Sequence, residues 1–263
     1  MLDLYCCEAL TTVPESTRHL HALRIVELRS TSLTTLPDAL LNLEKLRSLN
    51  FSQHALIELP DSILRLTALR ILDLGSCSRL LTLPDGLGDL SALQLLDFGC
   101  CSALTALPES IRRLKDLKLL RLRVCEALSA LPSSLGELSA LETLEISSCS
   151  ALTTLPDSIG GLVKLLVLDL SGCSSLRVLP SQLDDMAALT SLDLSGCSSL
   201  EAPPSETLAN LTRRVFRDPL GCVVTVQRQI EIRTGQLIET ERKQAFRTAW
   251  KGAPQPFCSR SAA

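Results

Sequence analysis

The side chains best suited to chemistry in this 263-residue chain are eleven cysteines, three histidines and an aspartate that recurs between two leucines. Cysteines can hold zinc, form disulfides or act as nucleophiles, and their spacing distinguishes these uses. Cys77, Cys101, Cys125, Cys149, Cys173 and Cys197 follow one another with a single constant period, and Cys7 keeps the same place in the pattern. A zinc site needs CxxC-like pairs that converge on one point. A ladder with this spacing does not converge, and Cys6-Cys7 and Cys100-Cys101 are adjacent. Disulfides between stacked neighbours would join side chains that point in parallel, which suits the required dihedral poorly. His19, His21 and His54 form no HExxH pattern. Phosphate-loop, dinucleotide-binding, nucleophile-elbow and kinase motifs are also missing. The expectation is a chain without catalytic residues, metal or cofactor.

The elements that carry these residues follow from a proline register. Pro14, Pro37, Pro60, Pro84, Pro108, Pro132, Pro156, Pro180 and Pro204 recur with a period of 23 twice and of 24 thereafter. One unit between them has Leu69, Leu72, Leu74, Cys77, Leu80, Leu83-Pro84, Leu87 and Leu90, or LxxLxLxxCxxLxxLPxxLxxL. Leucine is by far the commonest residue and is concentrated in 1–211, with only Leu220 and Leu237 beyond. A core of nearly uniform leucine implies one packing unit copied many times. In Leu72-Asp73-Leu74 the period of two puts both leucines on one side of a short strand and Asp73 on the other. Each unit leaves an apolar edge that only a neighbouring unit can cover, so the units stack into a parallel ladder with strands about 4.8 Å apart. Proline ends each extended stretch because it cannot donate a ladder bond. The residues after it, Asp38, Asp61, Asp85, Glu109, Ser133, Asp157 and Ser181, include several suited to N-capping a short helical or 3₁₀ turn.

This wording resembles the leucine-rich repeat family. The resemblance covers about 1–211 and rests on seven full units and two imperfect ends in one register. The longer units, such as Leu168-Asp169-Leu170-Ser171-Gly172-Cys173-Ser174-Ser175-Leu176, are similar to repeats of plant-type intracellular disease-resistance receptors. The two shorter units are more similar to those of Ras-pathway scaffolds. The resemblance implies an α/β solenoid, with a curved parallel β ladder on the concave face and short helical or 3₁₀ turns on the convex face. It also implies that the thiols of Cys77, Cys101, Cys125, Cys149, Cys173 and Cys197 satisfy backbone groups inside the turn. Thr31 and His54 take that place in the shorter units, which makes His54 a turn-satisfying core residue rather than a base.

The concave face is where recognition would occur. The residue between the strand leucines runs Asp3, Glu27, Asn50, Asp73, Asp97, Arg121, Glu145, Asp169 and Asp193, and seven of these nine are acidic. The column two residues on, including Ser52, Gly75, Gly99, Ser147, Ser171 and Ser195, is mostly small and leaves the acidic stripe uncovered. Arg112, Arg113, Lys115, Lys118, Arg121 and Arg123 crowd one unit, with Arg121 and Arg123 pointing into the concavity. Two readings stand side by side. In one, Leu-Asp-Leu is repeat wording, and the aspartates are solvated or bonded locally. In the other, Asp73, Asp97, Arg121, Arg123, Glu145, Asp169 and Asp193 form a face for a partner protein with a basic segment and one acidic anchor.

Charge divides the chain. Residues 1–211 carry a net −9 and residues 212–263 a net +6, within the overall −3. The ten basic residues of the tail are scattered rather than clustered with aromatics, so nucleic-acid binding is not expected. Within the tail, 223–232 suits a strand and 237–250 an amphipathic helix. A cap over the last repeat, a disordered basic extension and a misread non-coding sequence are its three readings. No secretory signal and no run of about 18 apolar residues is visible, so the expected compartment is the cytoplasm. The chain begins inside a repeat. That suits a fragment, a truncated gene prediction, or a subunit that associates through an uncapped N-terminal repeat. Taken together, the residues and the resemblance imply a non-enzymatic protein-recognition module in signalling or defence-type surveillance. The alternative is a substrate adaptor or effector serving a ubiquitin ligase.

Overall fold

The structure is a computed structural model that describes residues 1–29, 31–53 and 55–201. Among the described residues, nine short strands pair in chain order into one parallel sheet. They are β1 (Leu2–Asp3), β2 (Ile25–Glu27), β3 (Ser48–Asn50), β4 (Ile71–Asp73), β5 (Leu95–Asp97), β6 (Leu119–Arg121), β7 (Thr143–Glu145), β8 (Val167–Asp169) and β9 (Ser191–Asp193). The register is one full unit throughout, so Leu72 lies opposite Leu96 and Leu96 opposite Leu120. The family's solenoid architecture is thus realised over the described residues.

The outer side is built from 3₁₀ turns: η1 (Glu15–His19), η2 (Asp61–Arg65), η3 (Leu87–Asp89), η4 (Glu109–Arg113), η5 (Leu135–Glu137), η6 (Asp157–Gly161) and η7 (Ser181–Asp185). In the five-residue turns the proline itself takes the capping position, with ψ near 140°. Its carbonyl accepts the first turn bond, as from Ile63 N–H to Pro60 O at 3.0 Å. The expected side-chain N-caps are therefore corrected. Asp61, Glu109, Asp157 and Ser181 are the first residues inside their turns, and none of these turns has a side-chain cap. Proline's fixed φ already provides the extended entry that a capping residue needs. Glu109 instead reaches the next unit and accepts the N–H groups of Ser133 and Ser134 at 2.9 and 3.1 Å. These bonds hold its carboxyl below the usual range, the Ser134 side chain contributing most.

Between sheet and turns lies a continuous leucine core. Leu69, Leu72, Leu74, Leu80, Leu87 and Leu90 are all fully buried, and the next unit repeats the set with Phe98 and Ile111 in place of two leucines. Each such side chain contributes roughly 1.5–3 kcal/mol. The boundary at 211, the 212–263 tail and His54 lie outside the described residues.

Candidate functional site

The strand face is organised in columns because each unit repeats the same alternation. Leu72 points into the core, so its neighbours Ile71 and Asp73 share the opposite face. The first column contains Ile25, Ser48, Ile71, Leu95, Leu119, Thr143, Val167 and Ser191, paired in register. Ile25 and Ile71 remain 36% and 39% exposed. This apolar column was not singled out from sequence. Its signal was available as Ile71, Leu95 and Val167 before Leu72-Asp73-Leu74, Leu96-Asp97-Phe98 and Leu168-Asp169-Leu170, although Ser48, Thr143 and Ser191 interrupt the column.

The second column is the charged row. Its carboxylates fold back onto their own backbone. Asp73 Oδ1 accepts Gly75 N–H at 2.9 Å and Asp97 Oδ1 accepts Gly99 N–H at 2.8 Å. Asp169 accepts from Ser171 at 3.0 Å and Asp193 from Ser195 at 2.9 Å. These are Asx-type turns, which favour a small residue two positions on. Asp97, Glu145 and Asp169 are only 5%, 3% and 9% exposed, while Asp73 and Asp193 are half-buried. The row is therefore recessed beneath the column of small residues.

Arg121 lies within this row, between two carboxylates. Its Nη1 is 3.1 Å from Asp97 Oδ2 and its Nε 3.2 Å from Glu145 Oε2. Arg123 is exposed, donates to Ser147 Oγ at 3.2 Å and stands 4.0 Å from Glu145. Of the other basic residues of that unit, Lys118 stands one residue before β6 at the edge of the strand face, and Arg112, Arg113 and Lys115 lie on the outer side. Arg113 pairs with Asp89, and Arg112 and Lys115 reach Glu137 at 3.9 and 3.4 Å. Burial pushes Asp73 up to about 6 from 3.8, with the adjacent Asp97 adding to the effect. Burial also raises Glu145, outweighing the opposing arginines Arg121 and Arg123.

The cysteines form a separate inner ladder. Each thiol donates to the carbonyl of the apolar residue just after the strand in the preceding unit. Cys77 bonds Phe51 O at 3.3 Å, Cys101 bonds Leu74 O at 3.3 Å and Cys125 bonds Phe98 O at 3.2 Å. Cys149, Cys173 and Cys197 do the same with Leu122, Ile146 and Leu170 at 3.0–3.1 Å. The residue before each ladder cysteine has left-handed backbone, from Ser76 (φ 63°) to Gly172 (φ 75°) and Gly196 (φ 77°). That kink turns the chain off the sheet and aims the thiol at the neighbouring unit. Among the described residues no cluster of three His, Cys, Asp or Glu side chains is arranged to hold a metal ion. No described helix is long and apolar enough to cross a membrane.

A family model described as "Leucine-rich repeat region" matches residues 1–127 and 99–217. A leucine-rich repeat protein of Leptospira interrogans is similar at 26% identity and a TM-score of 0.60, over 86% of this chain. The chain spans 60% of that protein's length. The leucine-rich repeat domain of the type III effector XopL is similar at 31% identity and a TM-score of 0.69, over 83% of this chain and 73% of that one. No curated protein sequence matches the chain.

Proposed function

We propose that this chain, which belongs to the leucine-rich repeat family, is a non-enzymatic recognition module that holds a partner protein on its strand face. The carrying observation is the nine-stranded face itself, where a partly exposed apolar column runs beside a row of charges. Apolar side chains there offer buried contact area, and charges select among partners. In this reading Asp73, Asp97, Glu145, Asp169 and Asp193 set a negative field, offset locally by Arg121, that favours a basic segment. Arg123, exposed at the row's edge, is the anchor for one acidic side chain. The cysteines Cys77, Cys101, Cys125, Cys149, Cys173 and Cys197 serve the scaffold. Cytoplasmic residence fits a chain whose described cysteines are all free thiols. A role in signalling or defence-type surveillance is what the likeness to receptor repeats supports. Association through the N-terminal repeat belongs to the same proposal, with Tyr5 there 56% exposed.

The second reading, an adaptor or effector serving a ubiquitin ligase, draws on the 31% identity to a type III effector's repeat domain. Affinity capture separates the possibilities. The full chain is compared with an Ile71→Glu/Arg123→Glu variant on the strand face and an Arg112→Glu control on the outer side. The expected result is a protein recovered by wild type and control and lost at least tenfold by the face variant. Equal recovery by all three would refute the proposal. A ligase subunit that the face variant still recovers, after losing the partner, would favour the adaptor.

A further inference from the structure

Three arginines at the edge of the strand face have no role in the reading above. Arg24, Arg47 and Arg70 each stand one residue before β2, β3 and β4, whose first residues are in register. Backbone bonds stack them directly, from Arg47 N–H to Arg24 O at 2.7 Å and from Arg70 N–H to Arg47 O at 2.8 Å. Strand spacing therefore places successive arginines about 4.8 Å apart. All three are exposed, and none of their guanidinium groups makes an ion pair or hydrogen bond with a described residue. Arg112 and Arg113 on the outer side, which are also exposed, each face a carboxylate. Like charges this close repel unless a partner supplies anions, and guanidinium groups match carboxylates in a bidentate fork. The same column continues through Gln94, Lys118 and Glu142 to Leu166, which is 41% exposed, so basic character runs on to Lys118 and ends at Glu142.

We propose that this arginine ladder docks an extended partner segment with a cluster of acidic residues, followed by an apolar side chain that settles over Leu166. The inference rests on the strand-face reading and adds the order of charges along the partner. Three arginines span about 10 Å, or roughly three extended residues. Leu166 stands four strands beyond Arg70, about 19 Å, so the apolar side chain follows about six residues after the acidic cluster. The recessed carboxylate row lies on the other side of the apolar column. It repels acidic side chains and so confines them to the arginine edge.

The test is fluorescence anisotropy of the full chain with labelled 12-residue synthetic peptides. One carries an acidic triplet with leucine six residues on, a second has lysines in the triplet, and a third has serine for the leucine. The acidic peptide is expected to bind with an affinity that falls as salt rises. An Arg24→Glu/Arg47→Glu/Arg70→Glu variant is expected to lose at least tenfold and to prefer the lysine peptide, with unchanged thermal melting. The single variant Arg47→Glu, expected to lose roughly threefold, serves if the triple variant does not fold. The serine peptide is expected to bind more weakly than its parent. Unchanged acidic-peptide binding by the charge-reversed variants would overturn the ladder, as would binding of no peptide. So would a single-stranded 20-mer oligonucleotide that outcompetes the acidic peptide. Binding of the lysine peptide alone would overturn the ladder and leave the strand-face reading in place. Acidic-peptide binding that needs the arginines and survives Ile71→Glu would overturn the placement of the segment along the apolar column.

Discussion

At Asp73 the repeat wording and the local environment pull in opposite directions. Its Oδ1 is tied to Gly75 N–H at 2.9 Å and its Oδ2 to Asn50 Nδ2 at 3.0 Å, yet burial and Asp97 raise its pKa from 3.8 to about 6. Folding therefore favours the protonated acid. The stability that protonation contributes is fully present below about pH 3.8 and is lost as pH rises through about 6. Asp73→Asn keeps the acceptor and removes the charge. Urea unfolding is expected to show it about 2 kcal/mol more stable than wild type at pH 7.5 and little changed near pH 4. A gain of equal size at both values would contradict the assignment. Val124 is strained differently, as a β-branched residue at φ 59° where two later units have glycine. A left-handed backbone costs a non-glycine residue roughly 1–2 kcal/mol. Val124→Gly is therefore expected to be stabilising by up to about 1 kcal/mol after glycine's own entropy cost. A loss of stability in the same unfolding experiment would show that the side chain's packing outweighs its strain. The side of the strand on which Asp73 lies was legible from alternation. Its retreat into an Asx turn was not, because that depends on the backbone beyond the strand. Gly75, Gly99, Ser171 and Ser195, two residues on, do not leave the stripe uncovered as their small size suggests, because their N–H groups draw the carboxylates in.

Strand, kink and thiol act together within each unit. The three-residue strands are too short to hold the chain alone. The ladder thiols tie each unit to a carbonyl of the one before it, 26 or 27 residues earlier. Burial pushes Cys173 up to about 12 and Cys197 up to about 11. Cys101 is raised by burial too, and Cys149 first by its hydrogen bond with Cys125 and then by burial. Since the thiolate is the reactive form, a thiol reagent at pH 8 is expected to label the exposed Cys6 and Cys7 promptly. Cys101, Cys149 and Cys173 are expected to react only as the chain unfolds, as mass spectrometry of a denaturant series would show. Native-state labelling of the ladder at the rate of Cys6 would contradict this. The cysteine register was legible because the constant period places all six at one position of the unit. The acceptors were not, because a carbonyl in another unit leaves no mark on sequence. The same applies to the outer turns, where Leu-Pro located each turn but not the proline's role as the cap.

Across the whole described molecule, leucine spacing determines the architecture. Leu72, Leu96, Leu120, Leu144, Leu168 and Leu192 stack in one fully buried line. Such a line is visible in sequence because each unit repeats its neighbour's contacts. Charge pairing was less legible. Arg121 stands out in sequence as a break in an acidic stripe, but its partners Asp97 and Glu145 each lie one repeat away, on the flanking strands. What those charges face depends on side-chain direction as well as column order. The arginine ladder escaped notice for a simpler reason, since it stands one residue outside the strands that define the face. The central claim is that partners bind this face, and site-specific photo-crosslinking tests it most directly. A crosslinking amino acid is placed at Leu119 on the strand face or at Arg112 on the outer side, and the chain is irradiated with its captured partner. Covalent adducts are expected from position 119 and not from 112. Adducts from 112 with none from 119 would contradict the claim.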